Sequence, residues 1–409
     1  MLKKDQLIVR ELAKQYLELT SSEKQARMIK RMRDTNDLKP GRPPVILDEI
    51  PWDQMNLDGE LTLHCENEDA RSVELYFRKA LFYFKHFKAD NLFEPFFRVK
   101  REISSTGIGI EAKKSNIKQI DRTTNIVSSE YVDVLEDESA LEQFHDPVFT
   151  LHPEKDEMRM SFLTDLLGDS IPIRLYGFGY FYHAPWDKIT RFRGVEPIMI
   201  DMYDRPEYLH AIIQKMISAA NAELDFVERH LDVDGDFSAL HCTPGYVSGK
   251  GDSGLKTTWY RSMAQSFGIV SPSMFKEFEM EYFKPLAERF AYTYYGCCEP
   301  LDDKIEVIKQ IPNLRKIGCS PWANVERCAE QIRGDYVLAR KPNPAHVSMR
   351  TDPDVIRREI EETVKICTKY GCPYDYVLKD ISTVSNRPEN LILWSKAVSD
   401  VLDQYYGEA

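Results

Sequence analysis

The sequence predicts an α/β protein, a (β/α)8 TIM barrel with an N-terminal helical extension, spanning residues 1–409 as a single domain. Three observations predict it. From about residue 237 onward, short apolar runs alternate with longer amphipathic segments, the pattern of parallel strands joined by right-handed crossovers. The number of such units favours a closed barrel over an open sheet. Finally, side chains capable of chemistry collect where strands stop, the end at which these barrels bind ligands.

The elements follow in chain order. Residues 4–33 are helical by periodicity and rich in Lys, Glu, Gln and Ala. The Pro40-Gly41-Arg42-Pro43-Pro44 stretch breaks them off. Val45-Ile46-Leu47 reads as a first strand with two acids, Asp48 and Glu49, at its exit. Residues 70–87 form a helix whose aromatic residues pack a core, and residues 1–90 together make the extension. Strand character returns over 96–112, with a turn at Gly107–Gly109, and residues 113–160 read as a hairpin excursion with connecting loops. A helix over 161–167, a strand over 171–177 and a long helix over 206–230 come next. The regular alternation then gives strands at 237–242, 291–298, 314–319, 336–339 and 374–378. Helices at 271–290, 302–311, 325–332, 352–369 and 387–402 separate or follow them. The Gly-rich stretch 249–254 lacks the order of a phosphate-binding loop and reads as a mobile lid.

Composition narrows the function classes. A net charge of −12 argues against a nucleic-acid partner, which requires a basic footprint. No apolar run approaches a membrane span, and charges stand too early at the N-terminus for a signal peptide. Eight cysteines in a chain of this length are no disulfide framework. A cytoplasmic enzyme with a small-molecule substrate is the expectation.

The strand ends supply the candidate site. They carry His241-Cys242, Cys297-Cys298-Glu299, Cys319, Arg340-Lys341 and Lys379-Asp380. Cys297 and Cys319 end successive strands, one loop–helix–loop unit apart, so their thiols are expected to meet at the barrel mouth. Soft thiolates joined by an imidazole or a carboxylate suit zinc, which takes three or four such ligands. Adjacent strand residues point to opposite faces, so at most one of Cys297 and Cys298 is expected at the mouth unless the backbone has already turned there. Arg340, directly after an apolar strand, is expected to point into the mouth, and with Lys341 to orient an anionic group. Cys328, Cys367 and Cys372 are read as structural.

The Ser271-Pro272-x-x-Phe275-Lys276-x-Phe278 start of a long helix leads to the cysteine-bearing strand end Tyr295-Gly296-Cys297. Near the C-terminus stand Gly371-Cys372-Pro373 and Arg387-Pro388-Glu389-Asn390-Leu391. Together, over roughly residues 165–405, these resemble the uroporphyrinogen decarboxylase superfamily, and within it the zinc- and corrinoid-dependent methyltransferase branch. The resemblance implies a (β/α)8 barrel and a methyl group exchanged with a corrinoid carried by a partner protein. It also implies zinc, bound in that branch by a His-x-Cys motif whose places here are Tyr295 and Cys297. The expected ligands are then Cys297, Cys319, Asp380 and His241, and the expected catalytic residues are Glu299, Asp380, Arg340 and Lys341. Two alternatives stay open, a decarboxylase of a porphyrinogen-like or smaller carboxylic acid and a non-catalytic cobalamin- or tetrapyrrole-binding barrel. The decarboxylase branch's N-terminal arginine-rich motif has no counterpart in this chain.

Overall fold

The computed structural model describes residues 3–115, 130–235 and 240–407. At its centre lies a curled sheet of seven strands, all parallel. In spatial order they are Phe181–Tyr182, Trp259–Ser262, Tyr292–Tyr295, Leu314–Cys319, Val337–Arg340, Tyr374–Leu378 and Val45–Leu47. Helices connect them, as the alternation requires. The sheet is a half-barrel, and no eighth ladder closes it among the described residues. Instead, Phe97–Lys100 pairs in parallel with Ile173–Tyr176 as a separate ribbon. The edge strand Val45–Leu47 meets Asp90, whose N–H donates to the Val45 carbonyl at 2.6 Å, and Asn91, whose side chain bonds both Leu47 backbone groups. The expected extension thus contributes a strand to the sheet.

Local chemistry sets the helix limits. Ser22, Asn67, Asn324 and Asp352 each accept an N–H in the first turn of the helices Glu23–Asn36, Glu68–His86, Val325–Ile332 and Pro353–Tyr370. Gly371 closes the last of these in the left-handed region. The long N-terminal helix of the sequence reading is two helices, Lys3–Thr20 and Glu23–Asn36, because Ser22 starts a new one. The excursion contains two antiparallel pairs, Ile103–Ser105 with Phe149–Leu151 and Lys113–Ser115 with Glu130–Val132. No helix among the described residues is long and apolar enough to cross a membrane.

The sheet separates two layers. Ile46, Trp259, Tyr294, Ala339 and Val377 cluster on its concave side. Arg261 stacks on Tyr294 there, and the buried pair Lys316–Asp375 closes at 2.6 Å. Tyr260, Tyr295, Ile317, Cys319, Leu338 and Leu378 pack on the convex side against the helices. The concave side is therefore the polar one, which decides where each strand-end group points.

One expected strand is not found among the described residues. Of 237–242, residues 237–239 lie outside the described residues. Residues 240–242 belong to a tight turn in which Leu240 N–H donates to the Thr243 carbonyl at 2.6 Å. Its place in the sheet belongs to Trp259–Ser262, paired with both Phe181–Tyr182 and Tyr292–Tyr295.

Candidate active site at the carboxyl ends of the strands

Tyr292–Tyr295 ends at Gly296, whose φ of 91° lies in the region that glycine alone enters freely. A Cβ at this position would stand 2.2 Å from Leu301 Cδ1. The Gly296 N–H donates to the Ser262 carbonyl at 3.0 Å, fixing the turn to its neighbour. This break in the strand lets both following cysteines reach the mouth, where simple alternation admits only one. Cys297 is fully buried and Cys298 half-buried.

The Cys297 sulfur lies 3.1 Å from Lys379 Nζ, at the end of Tyr374–Leu378. Cys298 Sγ stands 3.5 Å from Cys297 Sγ and 2.9 Å from Asp380 Oδ2. The hydrogen bond from Cys298 is the largest influence holding Cys297 far below an ordinary thiol pKa. Burial opposes it, while bonding from His241 and the charges of Lys341 and Arg261 reinforce it. Cys298 is pushed far up because it donates to that thiolate. Burial weakens the Lys379 charge, but the Cys297 thiolate and its neighbours outweigh this and raise its pKa. Cys297 is thus held toward its thiolate form beside the Lys379 ammonium.

A second tier braces the first. Glu299 accepts the Cys297 N–H at 2.9 Å and the Ala264 N–H at 3.4 Å. Burial and the nearby thiolate push its carboxyl up to about 7. Asp380, at a φ of 57°, donates its N–H to Glu49 at 2.8 Å, and Glu49 stands 3.8 Å from Lys379 Nζ. Lys341 Nζ donates to the Tyr294 hydroxyl at 3.0 Å. The His241 ring packs on Tyr182 at 4.9 Å, and Tyr182 also walls a cavity of about 690 Å³ with Tyr180, Phe178 and Glu223.

Of the residues expected at the site, Cys297, Asp380, His241, Glu299 and Lys341 gather around the mouth. Cys319 and Arg340 do not. On Leu314–Cys319 the inward residue is Lys316, so Ile317 and Cys319 face the helices, where Cys328 donates to Cys319. Arg340 likewise turns outward. It donates to Glu359 of Pro353–Tyr370 at 3.0 Å and to the Ser320 carbonyl at 3.1 Å, while the next residue, Lys341, points in. The expected Cys297–Cys319 pair and the inward Arg340 are therefore both corrected by strand alternation. Sequence reasoning left Lys379, Cys298, Arg261 and Glu49 without roles. Lys379 and Glu49 were visible as strand-end charges. Arg261 had no signal, because its strand was not recognised.

No protein-family model and no curated protein matches the chain. Among solved structures, a methyltransferase from Methanosarcina mazei aligns with a TM-score of 0.50, over 93% of this chain and 99% of that one, at 13% sequence identity. A likeness at that identity is one of fold.

Proposed function

We propose that the protein is a methyltransferase whose reacting atom is the Cys297 sulfur. The observation that carries this reading is the 3.1 Å contact between Lys379 Nζ and Cys297 Sγ, at the end of the sheet where parallel α/β folds place their chemistry. A thiolate held this way attacks an activated methyl group. The S–C bond forms, and the donor leaves with the electron pair of the bond that breaks. The low basicity that its neighbours impose also makes the sulfur a good leaving group. It can therefore surrender the methyl group to a second nucleophile and recover the pair as thiolate. Lys379 stabilises the sulfur's charge before and after each transfer. Glu299 fixes the backbone that presents it. The sequence resemblance supplies the exchange partner, a corrinoid protein.

Zinc, which the same resemblance implies, does not fit the side chains present. Among the described residues no group of three or more His, Cys, Asp or Glu is placed to hold a metal ion. Cys319 lies across the sheet, and the Lys379 ammonium already makes the contact a metal would make with Cys297.

Anaerobic incubation with free methylcobalamin, followed by absorbance, tests the reading. The unmodified protein should consume the methyl–cobalt species. Lys379→Met should do so roughly tenfold more slowly or worse, as the sulfur loses the ammonium that positions it and holds its charge through the transfer, and Cys297→Ser not at all. Equal rates in all three would remove Cys297 from the reaction.

A further inference from the structure

Arg261 is the strongest unexplained group in the molecule. It sits on the concave side of Trp259–Ser262, fully buried, with its guanidinium 3.9 Å above the Tyr294 ring. Nη1 donates to the Ser262 carbonyl at 2.5 Å, but Nε and Nη2 have no hydrogen-bond partner among the described residues. Those two nitrogens form one edge of the guanidinium, the fork that grips both oxygens of a carboxylate. A buried cation with its bidentate edge unmet is costly unless something occupies that edge. Two further cations stand near this edge, while the Cys297 thiolate and Glu299 supply the negative charge that faces Arg261. Lys341 holds the hydroxyl of the same tyrosine, Lys379 stands on Cys297, and Lys316 is already neutralised by Asp375. Tyr182, half-exposed and in the electrostatic field of Arg261 and Cys297, is the wall shared between this cluster and the 690 Å³ cavity.

The geometry points to a carboxylate-binding site at the Arg261 Nε/Nη2 edge, seconded by Lys341, through which the enzyme takes a small organic carboxylate as the substrate presented to Cys297. This deepens the methyl-transfer reading and rests on Cys297 being the reacting atom. Arg261 is a binding residue here, not a catalytic one, because the bond changes occur at sulfur.

Iodoacetate and iodoacetamide provide the test, since they alkylate the same sulfur and differ in carrying a carboxylate or a neutral amide. An ordinary thiolate repels iodoacetate and reacts more slowly with it. In the full chain iodoacetate should instead label Cys297 roughly tenfold faster than iodoacetamide at low concentration, the gain of about one ion-paired contact. The rate should saturate with iodoacetate, and free acetate should protect. The ratio of the two rates, taken on one protein, cancels any change in thiolate fraction. That ratio should collapse in Arg261→Gln, recover partly in Arg261→Lys, and fall in Lys341→Met. Should the buried Arg261 variants fail to fold, saturation and acetate protection in the unmodified protein, together with Lys341→Met, still decide. Slower, non-saturating labelling by iodoacetate would overturn the site. If neither reagent labels Cys297, the methyl-transfer reading falls. Calorimetric titration with benzoate then judges the carboxylate site alone, with saturable binding upholding it and no heat refuting it.

Discussion

Cys297 owes its charge first to the hydrogen bond from the adjacent Cys298 and then to groups drawn from other strand ends, so its reactivity should respond to residues both next to it and remote in sequence. Replacing Lys379 by Met removes the ammonium 3.1 Å away. Replacing Cys298 by Ala as well removes the largest influence holding that pKa down, and alkylation by iodoacetamide at neutral pH should then slow by roughly an order of magnitude, toward the few per cent thiolate of an ordinary cysteine. Dialysis against a chelator should leave the unmodified protein's alkylation rate unchanged, because Lys379 occupies the contact a metal would make with the sulfur. A jump in rate after chelation would show a metal on the thiolate. Cys319→Ser and Arg340→Ala should both keep that rate while lowering stability by about 1–3 kcal/mol in urea titration, since each unpairs buried groups on the convex side. Why the sequence misassigned these two is physical. The limits of Leu314–Cys319 were legible to the residue, but limits do not say which face is inside. Here the interior is the polar side, so the buried lysine at 316 points in and the apolar-looking cysteine points out.

At the scale of elements, what the sequence revealed depended on contrast between faces. Leu314–Cys319, Val325–Ile332 and Tyr374–Leu378 were readable at their observed limits. Trp259–Ser262 was not, because all four of its residues are buried and no alternation marks it. The helical stretch before Tyr292–Tyr295 holds a feature that pattern reading misses as well. It widens to π geometry over Lys276–Met280, and within that turn Glu279 lies buried, accepting the Tyr295 hydroxyl at 3.0 Å. Burial pushes Glu279 up to about 8 and Asp187 up to about 6. The folded chain therefore holds protons that the unfolded chain, with a glutamate near 4.5, has lost. Their contribution is full below the ordinary carboxylate values and disappears as pH rises through about 6 for Asp187 and about 8 for Glu279. Stability should decline over this window with a slope of up to about 1.4 kcal/mol per pH unit for each such group. Glu279→Gln, which keeps the shape without the charge, should flatten the decline in urea titrations at pH 5 to 9. An unchanged slope would show that Glu279 does not titrate as described.

At the scale of the whole molecule, the two ends of the chain meet in the sheet. Val45–Leu47 pairs with Tyr374–Leu378, and Arg42 ties this seam together by bonding Asp90, Asp403 at 2.8 Å and Ser399 at 2.6 Å from a buried position. Arg42→Ala should cost about 3 kcal/mol, as loss of one partner from a buried ionic cluster does, read as a lower urea midpoint. The alternation of strands and helices was legible because it is a property of long segments. The half-barrel's irregular side was not, since the ribbon of Phe97–Lys100 and Ile173–Tyr176 depends on pairings between distant residues. What this architecture accomplishes is convergence: strands far apart in sequence bring Cys297, Lys341, Lys379 and Arg261 to one place. The most direct test of that convergence is to locate the methyl group. After anaerobic reaction with methylcobalamin and proteolysis, peptide mass spectrometry should find one added methyl, on Cys297, removed again when the reduced cobalt(I) form of the corrinoid is supplied. Methyl groups spread over other cysteines, or none on Cys297 while methylcobalamin is consumed, would contradict the account.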